Sequence, residues 1–432
     1  MSDPRAIIIE LLRNIGGRKE VEQYLRHYTA VDRQRFAVIA ISRQVLGDRR
    51  RTVAAALSFL HQVGLYPIVV HAAGPYLDEQ LVEAGLGDEV GGKAWSPRAL
   101  EIIRRAYQQE NLSLVEDLEA QGCAARPIAA GVLEAEPHKP GQLFGRVTGV
   151  DQSALSSAIR ARQLPIVASL AAGPGGQILD VDAEDAAVEV ARAVEPHKLI
   201  VLSGRGGLLD RQGHLVSAVN LAEDAARLPP LLEDEDRERL ARLVPLLEEL
   251  DDSASVSITS PDHLARELFT HRGSGTLVRR GERVVSYDHF DELDRDRLRD
   301  LVESCFGRRL EPGYFDKRQA HRIYVSDDYR ATAILTQEDG MAYLDKFAVT
   351  PKAQGEGIGG SVWGRMRRDH ARLFWRSRAD NEVNGWYFSQ ADGSFKSGHW
   401  NVFWYGYDTF EEARRCVEVA LSLPASLAEA KT

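Results

Sequence analysis

Between about residues 30 and 220, short runs of β-branched and other apolar residues alternate with longer stretches whose apolar positions recur at helical spacing. Phe36-Ala37-Val38-Ile39-Ala40-Ile41 reads as a buried strand, Val53 to Val63 as a helix, and Tyr66-Pro67-Ile68-Val69-Val70 as a second strand. Leu164 to Ala168 and Lys198 to Leu202 read as two more strands, separated by a helical stretch from Ala183 to Val194. Strands that alternate with helices in this way predict a mainly parallel sheet with crossover helices, the α/β class. Ahead of it, Arg5 to Tyr28 has apolar positions near helical spacing broken at Gly16-Gly17, which reads as a helix pair.

Between Glu223 and Asp252 the composition shifts, and Pro229-Pro230 precede a run crowded with Glu, Asp and Arg that reads as a solvated helical hairpin. After Gly273-Ser274-Gly275 the pattern shifts again. Hairpin-like strands (Arg322 to Val325, Ala331 to Thr336, Met341 to Thr350) lead to a helix from Ser361 to His370 and to aromatic-rich strands from Phe374 to Tyr405. Mixed strands around one glycine-led helix predict a separate α+β domain. The expected organisation is a helical segment at 1–30, an α/β domain at 31–278 and an α+β domain at 279–432.

Composition narrows the function. With 432 residues, 44% of them apolar and 27% charged, the chain can build more than one core. The 54 Lys and Arg against 64 Asp and Glu leave a net charge of −10, without the basic excess that a phosphate backbone requires, so no nucleic-acid partner is expected. No run of 18 apolar residues occurs, and Met1-Ser2-Asp3-Pro4-Arg5 lacks the order of a secretory signal, so the expected location is the cytoplasm, with no membrane partner. Cys123, Cys305 and Cys416 stand far apart with no ligand spacing, so they read as free thiols and no metal is expected.

The segment richest in chemistry is Tyr343-Leu344-Asp345-Lys346-Phe347-Ala348-Val349, followed by Gln354-Gly355-Glu356-Gly357-Ile358-Gly359 and a helix. A strand that enters a glycine turn and opens a helix aims unpaired N–H groups and the positive end of the helix dipole at one spot, which suits a diphosphate. A Walker or Rossmann reading is disfavoured, because no Gly-Lys-Ser/Thr follows and the Gly-x-Gly-x-x-Gly fingerprint is incomplete. The Gln-x-x-Gly-x-Gly pattern resembles the acetyl-CoA turn of the GNAT acetyltransferases. That resemblance implies contacts to acetyl-CoA from Phe347, Val349, Gln354, Gly355, Gly357 and Gly359.

Further segments carry a closer resemblance: Leu344 to Val349, Phe374-Trp375-Arg376-Ser377-Arg378, Val402 to Gly406, Glu303 to Arg308, Tyr314-Phe315, and Tyr324-Val325-Ser326 with Tyr329-Arg330. In order and spacing they are similar to the vertebrate-like N-acetylglutamate synthases and the bacterial bifunctional N-acetylglutamate synthase/kinases. The implied reaction moves acetyl from acetyl-CoA to the α-amine of L-glutamate, for arginine biosynthesis. A dicarboxylate acceptor needs cations, Arg for bidentate pairing and Lys as a point charge. The resemblance assigns that role to Lys346, Arg376 and Asn381, and assigns Tyr387 as the acid that protonates the coenzyme A sulfur; a phenol can donate without prior ionisation. The competing readings are a strand-closing lysine, a structural ion pair for Arg376 and core packing for Tyr387. Trp375, Trp386, Trp400 and Trp404 are assigned to packing. The rival functions are an acetyltransferase with another amino-acid acceptor and a non-catalytic binder of arginine or coenzyme A.

The first domain resembles the amino-acid kinase fold of the N-acetylglutamate kinases at His71-Ala72-Ala73-Gly74-Pro75 and Gly206-Gly207-Leu208-Leu209-Asp210. The catalytic pattern departs from that family. Ala40-Ile41-Ser42-Arg43 stands for Lys-x-Gly-Gly, Asp180-Val181-Asp182-Ala183-Glu184 for Asn-x-Asn-Ala-Asp, Arg239 for a second lysine, and Lys93 for a substrate-binding arginine. Phosphoryl transfer depends on positioning and charge neutralisation, so kinase activity is expected to be lost and the domain kept as a scaffold and regulator. Glu267 to Leu277 resembles an arginine-binding segment, which implies effector contacts at Glu267, Gly273 and Gly275; Arg272 replaces a lysine that the family associates with substrate. The resemblance also implies a homotetramer built through the first domain.

Overall fold

The computed structural model describes residues 36–428 except 75, 90–94, 252, 270–273 and 355–356. The expected segment 1–30 and the candidate residues Lys93, Arg272, Gly273 and Gly355 therefore lie outside the described residues, as does the side chain of Gln354. The chain forms two compact units, one ending at Arg280 and the other beginning at Gly281.

The first unit is built on an eight-stranded sheet: β1 (Ala37–Ile41), β2 (Ile68–His71), β3 (Ala125–Ile128), β4 (Leu164–Ala168), β5 (Lys198–Leu202), β6 (Ala218–Asn220), β7 (Ser255–Thr259) and β8 (Thr276–Arg279). Their spatial order is β6-β8-β7-β5-β1-β2-β4-β3, parallel throughout except where β7 meets β8. β1, β4, β5 and β7 are buried along their whole length, which a sheet covered on both faces requires. Four short strands, Leu133–Pro137, Phe144–Val150, Leu170–Ala172 and Ile178–Val181, close on one another beside it.

Helix α1 (Arg43–Gln62) starts ten residues before the expected Val53, because the Ser42 side chain accepts the Val45 N–H and Val45 and Leu46 are buried beneath a polar run. α2 spans Pro97–Glu119, and α3 spans Ala183–Val194, where the spacing placed it. The acidic stretch is not a solvated hairpin. It holds the helix α4 (Asp234–Glu249), in which Asp236 and Arg239 are buried, Arg239 pairing with both Asp236 and Glu184. A short helix, α5 (Leu264–Phe269), follows β7.

The second unit contains a seven-stranded sheet of β9 (Val284–Tyr287), β10 (Ala320–Ser326), β11 (Ala331–Glu338), β12 (Met341–Val349), β13 (Leu373–Arg378), β14 (Gly393–Ser397) and β15 (Trp400–Tyr405), in the order β9-β10-β11-β12-β13-β15-β14. Its helices include α6 (Tyr314–Lys317), α7 (Ile358–Asp369), α8 (Asn384–Gln390) and α9 (Phe410–Ser422). Here one expectation is corrected: the aromatic-rich stretch is not strand throughout. Asn384 to Gln390 is helical, and its entry is fixed by the Asn384 side-chain amide, which donates to the carbonyls of Arg378 (2.7 Å) and Ala379 (3.2 Å). These tertiary hydrogen bonds, together with the packing of Trp386 and Tyr387 on the sheet, override the strand preference of the aromatic residues.

Candidate active site

β12 and β13 run parallel and pair only at Tyr343–Phe374 and Leu344–Trp375. Beyond that point they do not pair, and Lys346, Phe347 and Val349 on β12 and Arg376 on β13 follow the last paired residues. Against β11, β12 also shifts register. Leu344 pairs with Leu335 and Lys346 with Ile334, so Asp345 is an extra residue, a β-bulge. In a regular strand Tyr343 and Phe347 would share a face and Lys346 would point the other way. The bulge reverses this: Phe347 joins Leu344, Trp363, Trp375, Tyr387 and Phe403 in one aromatic cluster, while Lys346 turns to the opposite face with Tyr314.

On that opposite face lies a buried charge network. Asp345 accepts from Tyr314 Oη (2.5 Å) and Lys346 Nζ (2.6 Å), and Arg318 lies 3.2 Å from its other oxygen. Burial alone would raise the Asp345 carboxyl, but Lys346 and Arg318 beside it hold it below its ordinary value. Burial also pulls the Lys346 ammonium below its ordinary value, and Asp345 opposes that fall. Arg376 stacks on Trp400 at 4.2 Å and donates to the main-chain carbonyls of Ala420, Leu423 and Pro424. Arg378, two residues on, is exposed and has no carboxylate partner among the described residues. The Asn381 amide donates to Ser377 Oγ (2.8 Å), and its oxygen accepts from the Val383 N–H (3.1 Å).

On the aromatic face Tyr387 is 6% exposed and packs among Trp363, Trp375, Trp386 and Phe403. Burial raises its pKa well above the ordinary tyrosine value, so the phenol keeps its proton across neutral pH. Past the end of β12, Gly357 caps α7 with φ 77°, and, having no side chain, it makes no cap hydrogen bond to the first N–H groups of the helix. Gly359 lies so close to β12 that a Cβ there would sit 2.9 Å from Val349 Cγ2. Past the paired residues, then, lie the glycine-led start of α7, the buried phenol of Tyr387 on one face of the sheet, and Lys346 and Arg376 on the other. Asp345, Tyr314 and Arg318 are the functional neighbours that sequence reasoning passed over. Asp345 stood in the quoted motif, but only the bulge shows that it faces Lys346.

In the first unit the residues that depart from the kinase pattern are bound to neighbouring side chains. Asp182 caps α3, accepting from Glu184 N (2.9 Å) and Asp185 N (3.0 Å). Glu184 receives Arg239 through Nε and Nη2, both at 2.9 Å, and Asp236 receives Arg239 Nη1 (2.9 Å) and the Leu209 N–H (2.8 Å). Asp180, buried against Trp95 Nε1 and Tyr107 Oη (both 2.9 Å), is pushed up to about 6 by burial. Ser42 caps α1, while Arg43 pairs with Asp78 at 2.6 Å. Near the expected effector segment, Glu267 is buried and accepts the Ser274 N–H (2.9 Å), and Gly275 lies against the Ile258 carbonyl. Among the described residues no group of three His, Cys, Asp or Glu could hold a metal, and no helix is long and apolar enough to cross a membrane.

The two units match known families separately. Residues 35–235 match the amino acid kinase family, and residues 285–422 match the family described as NAT, N-acetyltransferase, of N-acetylglutamate synthase. A Xanthomonas campestris protein named acetylglutamate kinase is 45% identical over 92% of this chain and 96% of its own. The mitochondrial N-acetylglutamate synthase of Homo sapiens is 33% identical over 90% of this chain and 72% of its own. N-acetylglutamate synthase from Neisseria gonorrhoeae, solved with coenzyme A and N-acetyl-glutamate, shares the fold with a TM-score of 0.57 at 19% identity over 90% of this chain and 98% of its own. Two domains in the same order, with nearly full-length similarity to such relatives, place the chain in the family that joins an amino acid kinase domain to the N-acetyltransferase domain of N-acetylglutamate synthase.

Proposed function

We propose that the second unit transfers acetyl from acetyl-CoA to the α-amine of L-glutamate, and that the first unit no longer phosphorylates. The observation that carries the first claim is the opening between β12 and β13, with uncapped amides of α7 at its end and Lys346 and Arg376 on one face. The diphosphate of the carrier rests on the N–H groups of α7, where the glycines admit it. Phe347 and Val349 line the strand beside the thioester arm. Lys346, Arg376 and the exposed Arg378 neutralise the acceptor's two carboxylates. The neutral α-amine then attacks the thioester carbonyl, the N–C bond forms, the C–S bond breaks, and the departing thiolate takes the phenolic proton of Tyr387; the amine releases its surplus proton to water. The test follows free thiol release from acetyl-CoA across a panel of amino acids. L-Glutamate should give the highest kcat/KM, and a higher value for another acceptor would replace glutamate in this reading.

Kinase loss is supported by the Arg239 network. Arg239, Glu184 and Asp236 satisfy one another, and the strand-to-helix turn at Ser42 has neither the lysine nor the paired glycines that would cradle a triphosphate. No ADP should form from ATP with N-acetylglutamate. Buried Glu267, which accepts the Ser274 N–H, supports L-arginine as an effector of the first unit, to be checked by titration calorimetry with Glu267→Gln as the control.

A further inference from the structure

The cations assigned to the acceptor already have other partners, and those partners belong to the end of the same chain. After α9 ends at Ser422, the chain folds back across the opening's cationic face. Arg376 Nη1 donates to the carbonyl of Ala420 (2.6 Å), in the last turn of α9, and to that of Leu423 (2.8 Å) in the segment beyond it, where Nη2 also donates to the carbonyl of Pro424 (2.8 Å). Lys346 Nζ donates to Ser426 Oγ as well as to the side chain (2.6 Å) and carbonyl (3.3 Å) of Asp345. A lysine ammonium has three N–H donors, so in this arrangement none is left for a substrate.

The segment is pinned only lightly. The Glu311 N–H reaches the Ser426 carbonyl at 3.4 Å, the Ala428 N–H donates to the Arg309 carbonyl at 2.9 Å, Leu427 pairs with Leu310, and the Leu427 side chain is only partly buried. Neutral main-chain carbonyls and a hydroxyl thus stand where carboxylate oxygens would bind. A carboxylate brings these cations a full opposite charge and a bidentate fit to the guanidinium, which a carbonyl or hydroxyl lacks, so a dicarboxylate outcompetes these partners.

We propose that residues 423–428 form a displaceable strap that competes with the acceptor's carboxylates for Lys346 and Arg376. This rests on the assignment of those two cations to the acceptor. Where only a fraction of molecules has the site open, the apparent affinity falls by that fraction, so the strap raises the acceptor's KM without touching the chemical step.

The test uses the full chain carrying Ser426→Ala with Leu427→Ala, which loosens the strap and leaves both cations in place. KM for L-glutamate should fall about fivefold while kcat and the KM for acetyl-CoA stay within about twofold of the parent. Hydrogen exchange across 423–428 in the parent should speed up when L-glutamate is added. A raised glutamate KM or a lost kcat in the double variant would overturn the proposal, since the segment would then be a fixed wall of the site; so would slower exchange with glutamate. Lys346→Met separates this failure from failure of the underlying assignment. If Lys346→Met leaves the glutamate KM unchanged, the acceptor assignment is wrong. If it raises that KM while the double variant does not lower it, only the strap is wrong.

Discussion

Asp345→Asn removes one charge and almost no volume, and its effect can be worked from the network around it. The carboxylate lies 2.6 Å from Lys346 Nζ, and at an effective dielectric of 20 the gross attraction at that distance is about 6 kcal/mol. Desolvation cancels most of this, and the net worth of a hydrogen bond to a charged group is about 1.5–3 kcal/mol, or roughly 10- to 150-fold in an equilibrium constant. The groups facing Lys346 fix the sign: burial, Arg318 and Arg376 all favour the neutral amine, and Asp345 is the one charge that favours the ammonium, with the Tyr314 ring and the Ser426 hydroxyl adding weaker contacts to the cation. With asparagine in place, Lys346 gives up its proton at a lower pH than in the parent. The cation is then present at the acid end and lost as pH rises.

The assay is the glutamate KM of Asp345→Asn divided by that of the parent, from pH 6 to 9; the ratio cancels titration of the substrate amine. The ratio should climb with pH and reach about 10- to 100-fold at the alkaline end, with the acetyl-CoA KM little changed. A constant ratio would mean that Lys346 does not depend on Asp345 for its charge. A ratio near one throughout would mean that the pair lies outside the acceptor site.

Three other outcomes are expected. Tyr387→Phe should lower kcat by about 10²-fold with both KM values nearly unchanged, since the ring still fills its aromatic pocket; a kcat within a factor of two would remove the phenol from the proton path. Gly359→Ala places a methyl group 2.9 Å from Val349 Cγ2 and should push the start of α7 from β12, raising the acetyl-CoA KM about tenfold, as read from initial rates at saturating glutamate. Arg239→Met leaves Glu184 and Asp236 without their shared cation and should destabilise the first unit by about 3–5 kcal/mol, seen as faster hydrogen exchange in α3 and α4, while neither parent nor variant forms ADP.

Much of the architecture was legible along the chain because it follows from local periodicity. β4, β5 and α3 fall where continuous apolar runs and helical spacing put them, and the glycine-led turn announced the start of α7. The early start of α1 was hidden by the polar run from Arg43 to Thr52, which only the Ser42 cap makes helical. The helical state of Asn384 to Gln390 was hidden by aromatic composition, which fits a strand equally well until the carbonyls of Arg378 and Ala379 are in place.

The side-chain order of the site divides along the same line. Residue types and spacing, with the resemblance they carry, put forward Lys346, Arg376 and Tyr387, and the glycines at 357 and 359, as the candidates. Which groups meet was decided only in three dimensions. A single extra residue at Asp345 puts Phe347 on the face of Leu344 and Lys346 on the other, and a segment some 80 positions away along the chain comes to rest on that lysine. Strand periodicity carries no mark of a bulge, because the register belongs to the pair of strands. Nor does local sequence encode a contact between distant segments, since the free energy that holds it exists only once the sheet and α9 have packed.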